Sequence, residues 1–185
     1  AVAPKSNSVV GQVGINRIDN VTTASMLDSN IIAGEKIAVN ATDKAKIQSY
    51  IGSGSGTGKA FVGIGASVGV QDIDATTTAK IENSSIAGTS ESTYGDLEVS
   101  AQEKSEIISI VGTASGGLAN MSGAFSVSAN DVDTSTNAYI DSDENIKANA
   151  IKVAAKNLAN STIGVGSVSV GKISVGMATA IALSD

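Results

Sequence analysis

The sequence predicts an all-β fold, a parallel β-solenoid, and three observations carry that prediction. Hydrophobic residues make up 42% of the 185 positions but aromatics only 3%, so the apolar material is mostly Ala, Val and Ile. Small and β-branched side chains suit a thin core between closely spaced strands. A pattern of about 57 residues recurs three times, and within it apolar residues alternate with small or polar ones at the period of a strand.

The repeat opens on an anchor, a polar motif ending in Asp and followed by Thr-rich residues: INRIDNVTTA (15–24), VQDIDATTTA (70–79) and ANDVDTSTNA (129–138). Aligning Ile18, Ile73 and Val132 sets the copies 55 and 59 residues apart. An apolar pair and a polar turn come next, as MLDSNI (26–31), KIENSSI (80–86) and YIDSDENI (139–146). Alternating triplets then align Ile37-Ala38-Val39 with Leu97-Glu98-Val99 and Ile151-Lys152-Val153. An Ala-polar-polar segment follows (40–52, 100–112, 154–166), and a Gly/Ser/Ala-rich stretch closes the unit. The chain divides into one repetitive segment, 1–185, with repeats near 10–61, 62–121 and 122–175 and the start of a fourth at 176–185. Ile181-Ala182-Leu183 aligns with Val127-Ser128-Ala129, and Val13 and Ile15 take the places of Val68 and Val70. The chain is therefore expected to begin and end in nearly the same phase, as a segment of a longer array.

Alternation is clearest in the Gly-rich stretches. Val62, Ile64, Ala66, Val68 and Val70 share one face, opposite Gly63, Gly65, Ser67, Gly69 and Gln71. Phe125, Val127 and Ala129 repeat this, as do Ile173, Val175, Met177, Thr179, Ile181 and Leu183. The apolar side is expected to be buried. A change of parity across Gly171-Lys172 marks a corner, and Gly52–Gly58 reads as a loop or close-packed turn. The helical rival is 98–110, where Ala101, Ser105 and Ile108 have helical spacing and Glu103 and Lys104 would face solvent. At about 20–30 residues per coil each repeat would make two or three coils, stacking into a rod of about 30–45 Å. Antiparallel strands alternate in the same way, so an array of β-sandwiches is the alternative fold.

The composition excludes several functions. There is no Cys, His or Trp, and the net charge is −6. A nucleic-acid binder needs a basic stripe to displace counterions, and a lipid surface is bound through clustered Lys and Arg. Neither pattern occurs, and no run of apolar residues is long enough to span a bilayer as a helix. Absence of Cys together with abundant Ser, Thr, Asn and Gly favours a protein exported without disulfides. Ala1-Val2-Ala3-Pro4 carries none of the features of an export signal.

The chemical candidates are few. Asp72 and Asp74, and Asp131 and Asp133, form i, i+2 carboxylate pairs that could begin a Ca²⁺ site, but the first repeat has Arg17 and Asp19 there. The same pairs invite acid–base chemistry on a polysaccharide, with Asp141, Asp143 and Glu144 the densest acidic group. Turnover on acidic glycans that disappears on replacing Asp131 and Asp133 would support that reading. Thr22-Thr23, Thr76-Thr77-Thr78 and Thr134-Ser135-Thr136 resemble ice-binding arrays, which require one Thr-x-Thr pair in every stacked coil. Gly58-Lys59-Ala60 lacks the hydroxyl of a phosphate loop. The residues thus predict no enzyme, no catalytic, metal or cofactor-binding residue, and no cofactor.

GASVGVQDIDATTTAKIENSSIAG, DLEVSAQEKSEI and the Gly/Ala/Ser-rich return resemble the repeats of very large bacterial exoproteins. These are the filamentous-haemagglutinin-like adhesins and leukotoxin-type proteins, autotransporter passengers among them. The resemblance implies a right-handed parallel β-helix, export and display at the cell surface. It also implies a structural or adhesive role, with neighbouring repeats, identical subunits stacked end to end or a host-cell or matrix ligand as partners. A subunit that polymerises end to end into an extracellular filament is the alternative.

Overall fold

A computed structural model describes residues 7–57, 62–90, 94–117 and 120–184. Ala1–Pro4, Gly58-Lys59-Ala60 and Asp185 lie outside them. Strand β1 (Ser8–Leu27), the short β2 (Asn30–Ile32) and β3 (Ile37–Thr57) form the first coil. β4 (Val62–Glu82), β5 (Ser85–Ala87) and β6 (Leu97–Gly117) form the second. β7 (Met121–Asp141), β8 (Ile151–Ser169) and β9 (Ile173–Ser184) continue the winding. Every pairing is parallel: β1-β4-β7-β9 make one sheet, β3-β6-β8 the facing sheet, and β2-β5 a narrow third side. The fold is an all-β parallel β-solenoid. No pairing is antiparallel among the described residues, which removes the sandwich array.

The repeat alignment appears directly as register. Ile18 pairs with Ile73, and Ile73 with Val132. The triplets stack Ile37, Leu97 and Ile151 in one column. At the chain's end the register departs from the expected alignment by two residues: Ile181 pairs with Ala129, and Leu183 with Asp131. A two-residue slip keeps side-chain parity, so it is invisible to an argument from alternation.

Each repeat makes one coil, not two or three. Strands of 20 and 21 residues on both long faces use up the repeat, and each pairs directly with the equivalent strand of the next copy. At about 3.3 Å per residue a face is roughly 70 Å wide, whereas three steps of about 4.8 Å stack to only about 14 Å. The expected 30–45 Å rod is therefore a broad, shallow stack. The rival helix at 98–110 is β6, and the described part of Gly52–Gly58, up to Thr57, is the end of β3. The corner at Gly171-Lys172 falls between β8 and β9, as expected.

Corners are built from residues suited to sharp reversal. Asp28 and Asn83 both have φ of 47°, the left-handed region that Asn and Asp tolerate best. Serines then stitch one corner to the next. Ser84 Oγ accepts from Ser29 N (3.1 Å), and Ser142 Oγ accepts from Ser84 N (3.1 Å). On the far side of the loop Gly95 lies so near the Glu35 backbone that an added Cβ would overlap its carbonyl oxygen.

The interior changes character along the strands. From the corner to mid-strand it is apolar: Ile81, Leu97 and Val99 join one cluster, Ile73, Ile107 and Val132 a second, all at most 1% exposed. Beyond Gln71 strands β4, β7 and β9 of the first sheet contribute only Gly, Ala and Ser, over which Ile51 and Val111 of the facing sheet pack at Gly69 before Thr113 and Ser115 take over. Gly63, Gly65, Ser67 and Gly69 point inward, while Val62, Ile64, Ala66, Val68 and Val70 point outward. The expectation for this stretch is thus inverted, and the same holds in β7, where Ser126 and Ser128 are buried and Phe125 and Val127 exposed. The reason is steric. An added Cβ at Gly65 would come within 2.7 Å of Thr113 Cγ2 and 3.3 Å of the Ala114 carbonyl, so the first sheet has no room here for Val or Ile. Hydroxyls fill the gap instead: Ser126 Oγ lies 2.8 Å from Gly166 O and 2.9 Å from Thr113 Oγ1.

Candidate functional site

The outward positions of one long row hold the acidic pairs. Register stacks Arg17, Asp72 and Asp131 in one column and Asp19, Asp74 and Asp133 in the next. Arg17 Nε lies 3.3 Å from Asp72 Oδ2, with a longer contact of 3.9 Å to Asp19. A cation of the chain itself thus occupies the end of the row where a Ca²⁺ ligand would be needed. Among the described residues no three His, Cys, Asp or Glu side chains come together in an arrangement that could hold a metal. Asp141, Asp143 and Glu144 lie exposed at and beyond the end of β7, in a turn away from these rows.

Opposite charges alternate up the second sheet. Glu98 lies between Lys36 below, with which it forms an ion pair, and Lys152 above, at 2.9 Å. Hydrogen bonds from Lys36 and then Lys152 lower the Glu98 carboxyl to about pKa 2. Lys46 and Glu106, register partners, meet at 2.9 Å. On the first sheet the Tyr139 hydroxyl donates to Glu82 (2.7 Å), and Lys80 reaches the same carboxylate (2.9 Å). Tyr139 first and Lys80 second hold the Glu82 carboxyl below its usual range, while Glu82 raises Lys80 and Tyr139. These ladders lie on solvent-facing surface, where an ion pair contributes little to stability but fixes which coil sits on which.

The Thr residues divide by parity. Thr22, Thr77 and Thr136 point inward; Val21, Thr76 and Ser135 form one outward column, and Thr23, Thr78 and Asn137 the next. With one coil per repeat the columns do recur in every coil, contrary to expectation. Only the central strand, however, has Thr at both outward positions.

Alternation in β6 also turns one carboxylate inward. Glu103 shares parity with Leu97, Val99 and Ala101 and is fully buried, whereas a helical 98–110 would expose it. Its carboxylate accepts from Thr77 (2.6 Å) and Ser105 (2.7 Å). Asp43 and Asn157 stack on either side of it, making a polar belt between the two apolar clusters. The belt's hydroxyls satisfy a carboxylate that water cannot reach.

Exposed apolar side chains gather on the outward face of the Gly/Ser half. Val9, Ile64, Val70, Phe125, Ile173 and Met177 are between 36% and 72% exposed. They belong to a largely apolar field across all four strands of the first sheet, bounded at one end of β4 and β7 by the Asp pairs. A hollow of about 180 Å³ opens beside Gly123, between Ile64, Phe125 and Val175. The reading of site residues, catalytic, metal and cofactor-binding alike, as none gave no place to this face. Its signal was present in the alternation, but with inside and outside exchanged.

No family model, no curated protein and no solved structure matches this chain.

Proposed function

We propose that the chain is a non-catalytic rod segment of an exported bacterial surface exoprotein, a stalk or adhesive spacer displayed outside the cell. One observation carries the reading: burial is fullest in the coil that lies between two others and falls away towards the open ends. Val99 in the middle coil is fully buried, Val39 below it is 8% exposed, and Val153 above it is 45% exposed. Ile151, stacked on the fully buried Leu97, is 53% exposed. Such a unit is stabilised by neighbours of its own kind, as in other quasi-one-dimensional arrays. The Glu98 and Arg17 ladders supply register between coils. Adhesion, to a host-cell or matrix ligand, would use the outward columns of side chains rather than a cleft.

The same open coils favour a second reading, end-to-end stacking of separate chains into a filament. A direct fusion of two chains in coil phase tests the proposal. The fused protein should lengthen along the stack by about 14–19 Å in small-angle scattering, and its thermal midpoint should rise. Two domains that scatter and melt as independent bodies would contradict it. Concentration-dependent fibres of the single chain would select the filament.

A further inference from the structure

We infer that the apolar face of the first sheet is an interface between two copies of this chain, lying side by side with their stacking axes parallel. This face is distinct from the open coils at the two ends, so the inference does not rest on the rod reading. The field covers five outward positions along β4, β7 and β9 and four along β1, with Thr179 its one polar residue. At about 3.3 Å per residue and about 4.8 Å per strand, with side chains added at the rim, it measures roughly 30 by 20 Å. Covering it with an identical face removes about 1,200 Å² in all, the lower bound for a stable, specific protein–protein interface. A single face of about 600 Å² is already at the top of the range for the largest apolar patch on a monomer.

The charges next to the field choose the orientation. Asp72, Asp74, Asp131 and Asp133 border it at one end of β4 and β7, with Arg17 and Asp19 in the same rows of β1 and Leu183 on β9, so the border carries a net negative charge. A two-fold axis along the strand direction would set the two acidic borders against each other. An axis along the stacking direction places them at opposite ends, with strands antiparallel across the interface. Like charges then stay apart, and the apolar rows coincide. Both two-fold arrangements close the pair, and the charges favour the second.

With the axis through the middle row, Ala66 of one copy faces Ala66 of the other. The row holding Ile64 and Gly123 then faces the other copy's Val68 and Val127, which meet the hollow beside Gly123. Both copies carry the same strand spacing, so ridges and grooves match coil for coil. Each further coil of the same pattern would widen the contact.

The chain has no Cys, so a single introduced thiol reports without background. Ala66→Cys treated with a short bis-maleimide should give a covalent dimer, whereas Gln48→Cys, on the outward face of the opposite sheet, should not. Light scattering over a concentration series should show a dimer that Val70→Lys with Val127→Lys weakens about a hundredfold or more. Both positions face solvent in the isolated chain, so circular dichroism should be unchanged and loss of fold is separable from loss of pairing. A monomer at every concentration would overturn the inference. So would a dimer that the double-Lys variant leaves intact, which would point to the coil ends. Binding of monomers to zwitterionic lipid vesicles, abolished by the same variant, would assign the face to lipid and overturn it as well.

Discussion

The two halves of the coil obey opposite rules. Near the corner the interior is Ile, Leu and Val, and the outer surface carries Glu, Lys and Asp. Toward the other end the first sheet turns Gly, Ala and Ser inward, beneath Ile51, Val111, Thr113 and Ser115 of the facing sheet, and presents Val, Ile, Phe and Met to solvent. Both halves alternate at strand period, and both belong to the same unbroken strands. Sheet separation makes the difference. Where the sheets stand apart, branched side chains from both exclude water from the gap; where they close, β4 and β7 of the first sheet have room only for hydrogen, a methyl or a hydroxyl. Period-two alternation therefore says that a strand has two faces without saying which is inside.

The largest predicted effect sets the halves against each other directly. Ile73→Ala, in the fully buried corner half, should cost about 2–5 kcal/mol through lost burial and the cavity left behind. Val70→Thr, three residues earlier and 38% exposed, should stay within about 0.5 kcal/mol in the monomer. Denaturant melts of the two variants, compared at constant m, check this. Equal losses would break the comparison.

Gly65→Val should come next. It keeps β-propensity and adds apolar volume, which would help if this face were an ordinary core. In the closed half it forces the branched side chain onto Thr113 and the Ala114 carbonyl, for an expected loss of about 1–3 kcal/mol by overpacking. A gain in thermal midpoint would show that the sheets are not closed there.

The smallest effect concerns the ladders. The Glu98 carboxyl is held at about pKa 2 in the fold, below the ordinary 4.5 that the unfolded chain would show. A depressed folded pKa means its contribution is fully present above about pH 4.5 and lost as pH falls toward 2. The pair is solvent-facing, so the effect should be modest and weaken with salt. Acid titration of stability in Glu98→Gln should run flatter than wild type across that window. Identical slopes would remove the ladder from the account.

Much of the fold was legible in the chain. The repeat alone puts Ile18, Ile73 and Val132 in one column, because side chains that must stack in a solenoid must also recur in sequence. Coil length was not legible, since nothing in a 21-residue alternating run marks whether it is one strand or two joined by a corner. Gly52 to Thr57 read as a break because Gly is usually entropically costly in a strand. Here stacking on β6 in every coil offsets that cost. Only the rival helix exposes Glu103; its burial in the strand was not foreseen because a carboxylate is rarely buried, and the hydroxyls that accommodate it arrive from β4 and from its own strand through the fold. Most of the candidate surface was visible as residues, though not as a surface, because its burial was assigned by polarity alone.

Thiol labelling tests the central claim most directly. Ile64→Cys and Ser67→Cys differ by three residues on β4 and face opposite sides. At a dilution where light scattering reports a monomer, the account predicts rapid modification of Cys at position 64. Cys at position 67, where Ser is 1% exposed, should be protected until the chain unfolds. Protection at 64 with rapid labelling at 67 would contradict it, and would restore an apolar interior to this half of the coil.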